Sequence, residues 1–127
     1  MRPPRSSASN STPHGPRRRL PSSPTTPNVR VLCGNWTELR DHGPFDLLVL
    51  DGGGKGKEPD EDPPLEPNSD WLAIDGAVVL DDFTPTGAAG EQLHDIARQY
   101  WLQHPALQAT EIRLSPSLAT LVGMRVR

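Results

Sequence analysis

The chain has 127 residues, with 15 proline, 11 glycine, 34% hydrophobic residues and a formal charge of -3. This length suits one domain, and no apolar run approaches the roughly 18 residues that cross a bilayer or forms the core of a secretory signal. The single cysteine, Cys33, excludes a disulfide framework and a Cys-based zinc site. A cytoplasmic protein with no membrane partner is expected.

The composition is uneven. Residues 1–28 hold 7 prolines, 6 serines, 5 arginines and no acid. Residues 29–127 hold all 16 acids and 8 of the 13 basic residues, so the net charge is a sum of +5 and -8. The first segment has too little apolar surface to offset chain entropy and reads as a disordered leader. Its prolines speak against the amphipathic helix of an organelle transit peptide. Arg17-Arg18-Arg19, with Arg2 and Arg5, could touch phosphates, but no aromatic residue is interleaved to stack bases and the body behind is acidic. Nucleic acid is therefore not the expected partner. Residues 29–127 are left as the folding unit, a partial domain.

That body alternates strand and helix signals. Val29 to Cys33 is β-branched and ends at Gly34-Asn35, which predicts a strand and a turn. Trp36 to His42 predicts a short helix, with Asn35 placed as its N-cap and Gly43-Pro44 as its stop. Phe45 to Leu50 then holds four consecutive apolar residues, the pattern of a strand buried on both faces. Residues 52–67 read as a long loop, and Asn68 or Ser69 as the cap of a short helix through Leu72. Asp75-Gly76 turns into Ala77-Val78-Val79-Leu80, a second strand with doubly buried patterning. Between Gly90 and His104, Leu93, Ile96, Ala97, Tyr100 and Trp101 form one helical stripe, with Asp95 and Arg98 on the other face. Strands over 107–114 and 118–126, joined by Ser115-Pro116-Ser117, predict an antiparallel hairpin. The sum is an α/β sheet, parallel with an antiparallel edge.

The Gly52-Gly53-Gly54-Lys55-Gly56-Lys57 stretch does not meet the requirements of a phosphate loop. Gly56 stands where Ser or Thr must follow the lysine, and an acidic, Pro-rich segment replaces the helix. The strand ends are more informative, because ligands of open α/β sheets bind beyond them. Asp51 ends one strand and Asp81-Asp82 the other. Three converging carboxylates would repel one another, and a hard divalent cation such as Mg²⁺ relieves that. The alternative is that each Asp caps a helix or holds a turn. Lys55, four residues past Asp51, is a candidate base if desolvated, and otherwise a solvated loop lysine.

The ordered set Val31-Leu32-Cys33-Gly34-Asn35-Trp36, then Gly43-Pro44-Phe45-Asp46-Leu47-Leu48-Val49-Leu50-Asp51-Gly52-Gly53, then Trp71 through Pro85 resembles the C-terminal half of a class I S-adenosylmethionine-dependent methyltransferase of the O-methyltransferase-like kind. The resemblance implies a truncated Rossmann-like sheet with a C-terminal hairpin. It implies methyl transfer from S-adenosylmethionine to a hydroxyl oxygen of a small molecule. By it, the Asn35 side chain meets the adenine amino group, the backbone at Trp36 approaches the ring, and Asp51 lies on the cofactor side. It makes Asp51, Asp81 and Asp82 Mg²⁺ ligands and places Lys55 one residue beyond the family's catalytic lysine. The family's first two strands and Gly-rich loop have no counterpart in residues 1–28, so the strand over 29–33 would lack its neighbours. That leaves two alternatives open: an inactive remnant, or a module that pairs with a second copy or a complementing chain through the unfilled sheet edge. A phosphoacceptor receiver domain also uses three aspartates and a lysine, but in a different chain order.

Overall fold

The computed structural model describes residues 27–57, 63–89 and 95–127. The chain divides into two units, Met1–Cys33 and Gly34–Arg127. Of the first unit, Pro27 and Asn28 form a turn and residues 29–33 belong to no β-ladder. The strand expected there does not form. A strand needs a neighbour for its N–H and C=O groups, and its β-branched composition cannot supply one. The leader over 1–26 and the predicted helical residues 90–94 lie outside the described residues.

The second unit holds a 3-10 helix (Trp36–His42), β1 (Phe45–Leu50), β2 (Leu72–Phe83), α1 (Ile96–Gln103), β3 (Leu107–Ser115) and β4 (Leu118–Arg125). The four strands form one mixed sheet in the order β1-β2-β4-β3. β1 is parallel to β2, and β4 runs antiparallel to both β2 and β3. The predicted C-terminal hairpin is present and forms the antiparallel edge of the sheet, with its first strand, β3, outermost. Burial explains this: Ala119 and Leu121 of β4 are fully buried, whereas β3 carries Glu111 and Arg113 and takes the rim.

β2 is much longer than expected. The predicted helix from Asn68 is a single turn, closed by Trp71 and Leu72 N–H groups donating to the Asn68 carbonyl at 3.1 and 2.9 Å. Leu72 is then drawn into pairing with Phe45, and the next pair is Leu47 with Ala77. The extra β2 residues form a bulge in which Asp75 adopts φ 63°. Gly76 is required there, since a Cβ would lie 2.8 Å from the Ala73 carbonyl oxygen and 2.9 Å from that of Phe45.

Among the described residues, one sheet face is covered and the other is open. Alternation puts Leu48, Leu50, Val78, Leu80 and Leu121 on the covered face, all buried. α1 packs there against β3 and β4, with Ala97, Arg98 and Trp101 buried. The expected stripe is thus rotated, because Ile96 is 75% exposed and Arg98 takes the inward place. Arg98 turns in because Glu111 lies 3.5 Å from its Nε and the Thr84 carbonyl accepts from its Nη2. On the other face Leu47 and Val49 are 60% and 58% exposed. β1 is therefore not buried on both faces, although its sequence is patterned for that.

Candidate functional site

The loops beyond the carboxyl ends of β1 and β2 collect most of the residues singled out by sequence. Asn35 caps the 3-10 helix: its Oδ1 accepts from the Thr37 N–H at 3.0 Å and from the Thr37 hydroxyl at 2.9 Å. Two donors saturate that oxygen, so it is committed to the cap rather than turned to a ligand's amino group. The same cap sets the helix so that Trp36 lies on the glycine loop. A Cβ on Gly53 would fall 2.2 Å from the indole Cδ1, and on Gly54 (φ 89°) 3.3 Å from its Cζ3. Glycine at these positions is what lets the indole close on the backbone. The predicted cofactor residue Trp36 is thereby brought onto the loop that follows Asp51, another such residue. Asp51 itself stands exposed, and nothing lies within 4 Å of a Cβ built on Gly52.

Lys55 is buried, at 5% exposure. Its ammonium donates to the Asp51 carbonyl at 3.0 Å and to the Asp81 carbonyl at 3.2 Å. It ties the ends of the two parallel strands together, and two of its N–H groups are engaged in doing so. Lys57, which sequence reasoning passed over, donates to the Asp82 carbonyl and lies 4.5 Å from the centroid of the Phe83 ring. The Trp101 Nε1–H donates to the Lys55 carbonyl at 3.0 Å, fixing the loop to α1. The signal for this clamp was two lysines at alternate positions in a glycine loop directly after a strand end.

The carboxylates do not form the expected cation centre. Asp81 Oδ1 accepts from the Thr120 hydroxyl at 3.1 Å, across to β4. Asp82 takes φ 67°, which turns the chain away from the regular strand. Among the described residues, no group of three His, Cys, Asp or Glu side chains is placed to hold a metal ion. Asp51, Asp81 and Asp82 thus do not fit a Mg²⁺ site, and the cation nearest both strand-end carbonyls is the Lys55 ammonium.

A cleft of about 500 Å³ lies between the 3-10 helix and residues 63–71. Trp36 and Trp71, with ring centroids 5.7 Å apart, line it together with Glu38, Asp41, Glu66, Asp70 and Arg40. Of the predicted site residues only Trp36 reaches it. Nearby, burial and then the Glu66 carboxylate push the Tyr100 phenol up to about 12, while its hydroxyl donates to the Leu65 carbonyl at 3.0 Å. His104 is the α1 C-cap, with Nε2 3.2 Å from Glu66. On α1's other flank, burial alone would raise the Glu111 carboxyl, but hydrogen bonds from the Thr86 N–H and hydroxyl, both 2.7 Å, and the charges of Arg98 and Arg113 hold it below its ordinary range.

No family model, curated protein or solved structure matches this chain.

Proposed function

We propose that residues 34–127 are the C-terminal half of a class I S-adenosylmethionine-dependent methyltransferase domain, and that the reaction is methyl transfer to a hydroxyl oxygen of a small molecule. The observation that carries this reading is the seating of Trp36 on Gly53-Gly54 beside the exposed Asp51. It brings Trp36, which the resemblance assigns to the cofactor, to the loop just after Asp51, at the carboxyl end of a parallel strand pair, where α/β sheets take ligands. The parallel β1–β2 pair and the C-terminal hairpin support the same reading.

S-adenosylmethionine, when bound, supplies an electrophilic methyl group on a sulfonium that is its own leaving group. Trp36 would face the adenine, and Asp51 would accept hydrogen bonds from the cofactor's polar groups. Lys55 would act as a positioning residue, since its ammonium holds the two strand ends rather than facing the open rim. Acceptor orientation would come from the loop beyond Gly52.

A second reading is a non-catalytic module of the same fold. The saturated Asn35 oxygen, the engaged Lys55 and the dispersed carboxylates favour it. Calorimetric titration with S-adenosylmethionine separates the two. Binding at millimolar or tighter, weakened by Trp36→Ala and indifferent to Mg²⁺, supports the methyltransferase reading. Absence of binding at millimolar ligand refutes it and leaves the non-catalytic module.

A further inference from the structure

The cleft between the 3-10 helix and residues 63–71 holds about 500 Å³, a size that takes a small molecule. Its walls combine aromatic surface with charge. Trp36 and Trp71 stand with ring centroids 5.7 Å apart and planes inclined at 35°. The Gly53-Gly54 backbone lies against the Trp36 indole, which stays half-buried and lines the cleft. Trp71 is only 6% exposed, and its indole N–H donates to no group among the described residues. Glu38, Asp41, Glu66 and Asp70 line the same space against one cation, Arg40. Glu66 is shared with Tyr100 and His104. The other three carboxylates and the Arg40 guanidinium have no ion pair or side-chain hydrogen bond among the described residues.

We propose that this cleft binds a small organic cation, an alkylammonium group that also carries a hydroxyl or carbonyl oxygen. The excess of carboxylates sets the sign of the charge. They do not converge as metal ligands do, since no group of three His, Cys, Asp or Glu side chains among the described residues is placed to hold a metal ion. An alkylated nitrogen spreads its charge over several carbons and suits dispersed carboxylates. It also collects attraction from the faces of two indoles, the ring that holds a cation best. The Trp71 N–H is a donor in a buried setting without an acceptor, so a ligand that brings an oxygen satisfies it. Of the lining residues named here only Trp36 figures in the methyltransferase reading, and the proposal does not depend on that reading.

Magnetic resonance titration of the isotope-labelled full chain with choline, followed at the indole N–H signals, tests it. The chain has three tryptophans. Trp101 is fully buried with its N–H bonded to the Lys55 carbonyl and serves as the internal control. The Trp36 and Trp71 signals should shift along one saturable curve in the millimolar range while Trp101 stays in place. The uncharged isostere of choline, with carbon in place of the nitrogen, should bind roughly tenfold more weakly or worse. Tetramethylammonium keeps the charge, loses the oxygen, and should bind about threefold more weakly. Asp41→Asn with Asp70→Asn, both exposed, should raise the choline dissociation constant about threefold or more. Asp75→Asn, an exposed acid on β2 outside the cleft, should leave it within about twofold. Absence of a saturable shift at millimolar choline overturns the proposal. So does equal affinity for the uncharged isostere, a Trp101 shift as large as the other two, or binding indifferent to the Asp41 and Asp70 substitutions. Tetramethylammonium binding as tightly as choline overturns the role given to the Trp71 N–H.

Discussion

Replacing Lys55 with methionine removes the ammonium and keeps a stem of similar length. Its Nζ holds two carbonyls, of Asp51 at 3.0 Å and of Asp81 at 3.2 Å, from a site with 5% exposure. Hydrogen bonds from a charged donor contribute about 1.5–3 kcal/mol each. Those net values already include the cost of desolvating the ammonium. Asp51 is exposed, so water can replace the lost donor there. A net loss of about 2 kcal/mol remains, set mainly by the half-buried Asp81 carbonyl. A unit of about 94 residues is expected to have a total stability of roughly 5–14 kcal/mol, so the loss is easily resolved. Urea unfolding followed by tryptophan fluorescence is the assay. Trp101, bonded to the Lys55 carbonyl, reports on the loop directly. The midpoint should fall by about 1 M with an unchanged slope. An unchanged midpoint, or a more stable variant, would refute the view that this lysine ties the strands together.

Gly53→Ala should displace the Trp36 indole, since the new Cβ would meet it at 2.2 Å; the check is a change in Trp36 emission, read in Trp71→Phe and Trp101→Phe backgrounds. Asn35→Ala loses the cap on Thr37 and should cost about 1 kcal/mol in denaturant unfolding. Glu111 has its folded-state carboxyl below the ordinary 4.5. Its contribution to stability is therefore complete above that value and is lost as pH falls through the lower, folded-state value. Glu111→Gln should flatten this part of the acid limb, measured as urea midpoint against pH. The Tyr100 phenol should titrate near 12 in an ultraviolet absorbance titration, and Glu66→Gln should bring it down.

The lysine clamp and the open face bear on each other. A sheet whose parallel strands are joined at one end by Lys55 and covered on one side by α1 can stand with its other side in water. The cost is exposed Leu47 and Val49, which the sequence offers for burial and the single chain does not cover.

Much of this protein was determined locally. The 3-10 helix spans Trp36–His42 as predicted because its cap and its stop, Asn35 and Gly43-Pro44, act on neighbouring residues. β1 and the β3–β4 hairpin follow from apolar runs and a tight turn. Other features depended on partners remote in sequence. Residues 29–33 have strand composition but no ladder. Leu72 joined β2 because Phe45 offered it a pairing edge. β4 lies between β2 and β3, and its Ala119 and Leu121 are fully buried on the face that α1 covers. At the site, spacing put Asp51, Asp81 and Asp82 near the correct strand ends, but side-chain direction decided their use. Thr120 holds one, a left-handed residue turns another away, and a lysine ammonium bonds the carbonyls beneath. Sequence encodes what a residue can do within a turn or two of itself. Which strand lies alongside, and which face is left for another molecule, is settled only when distant segments meet.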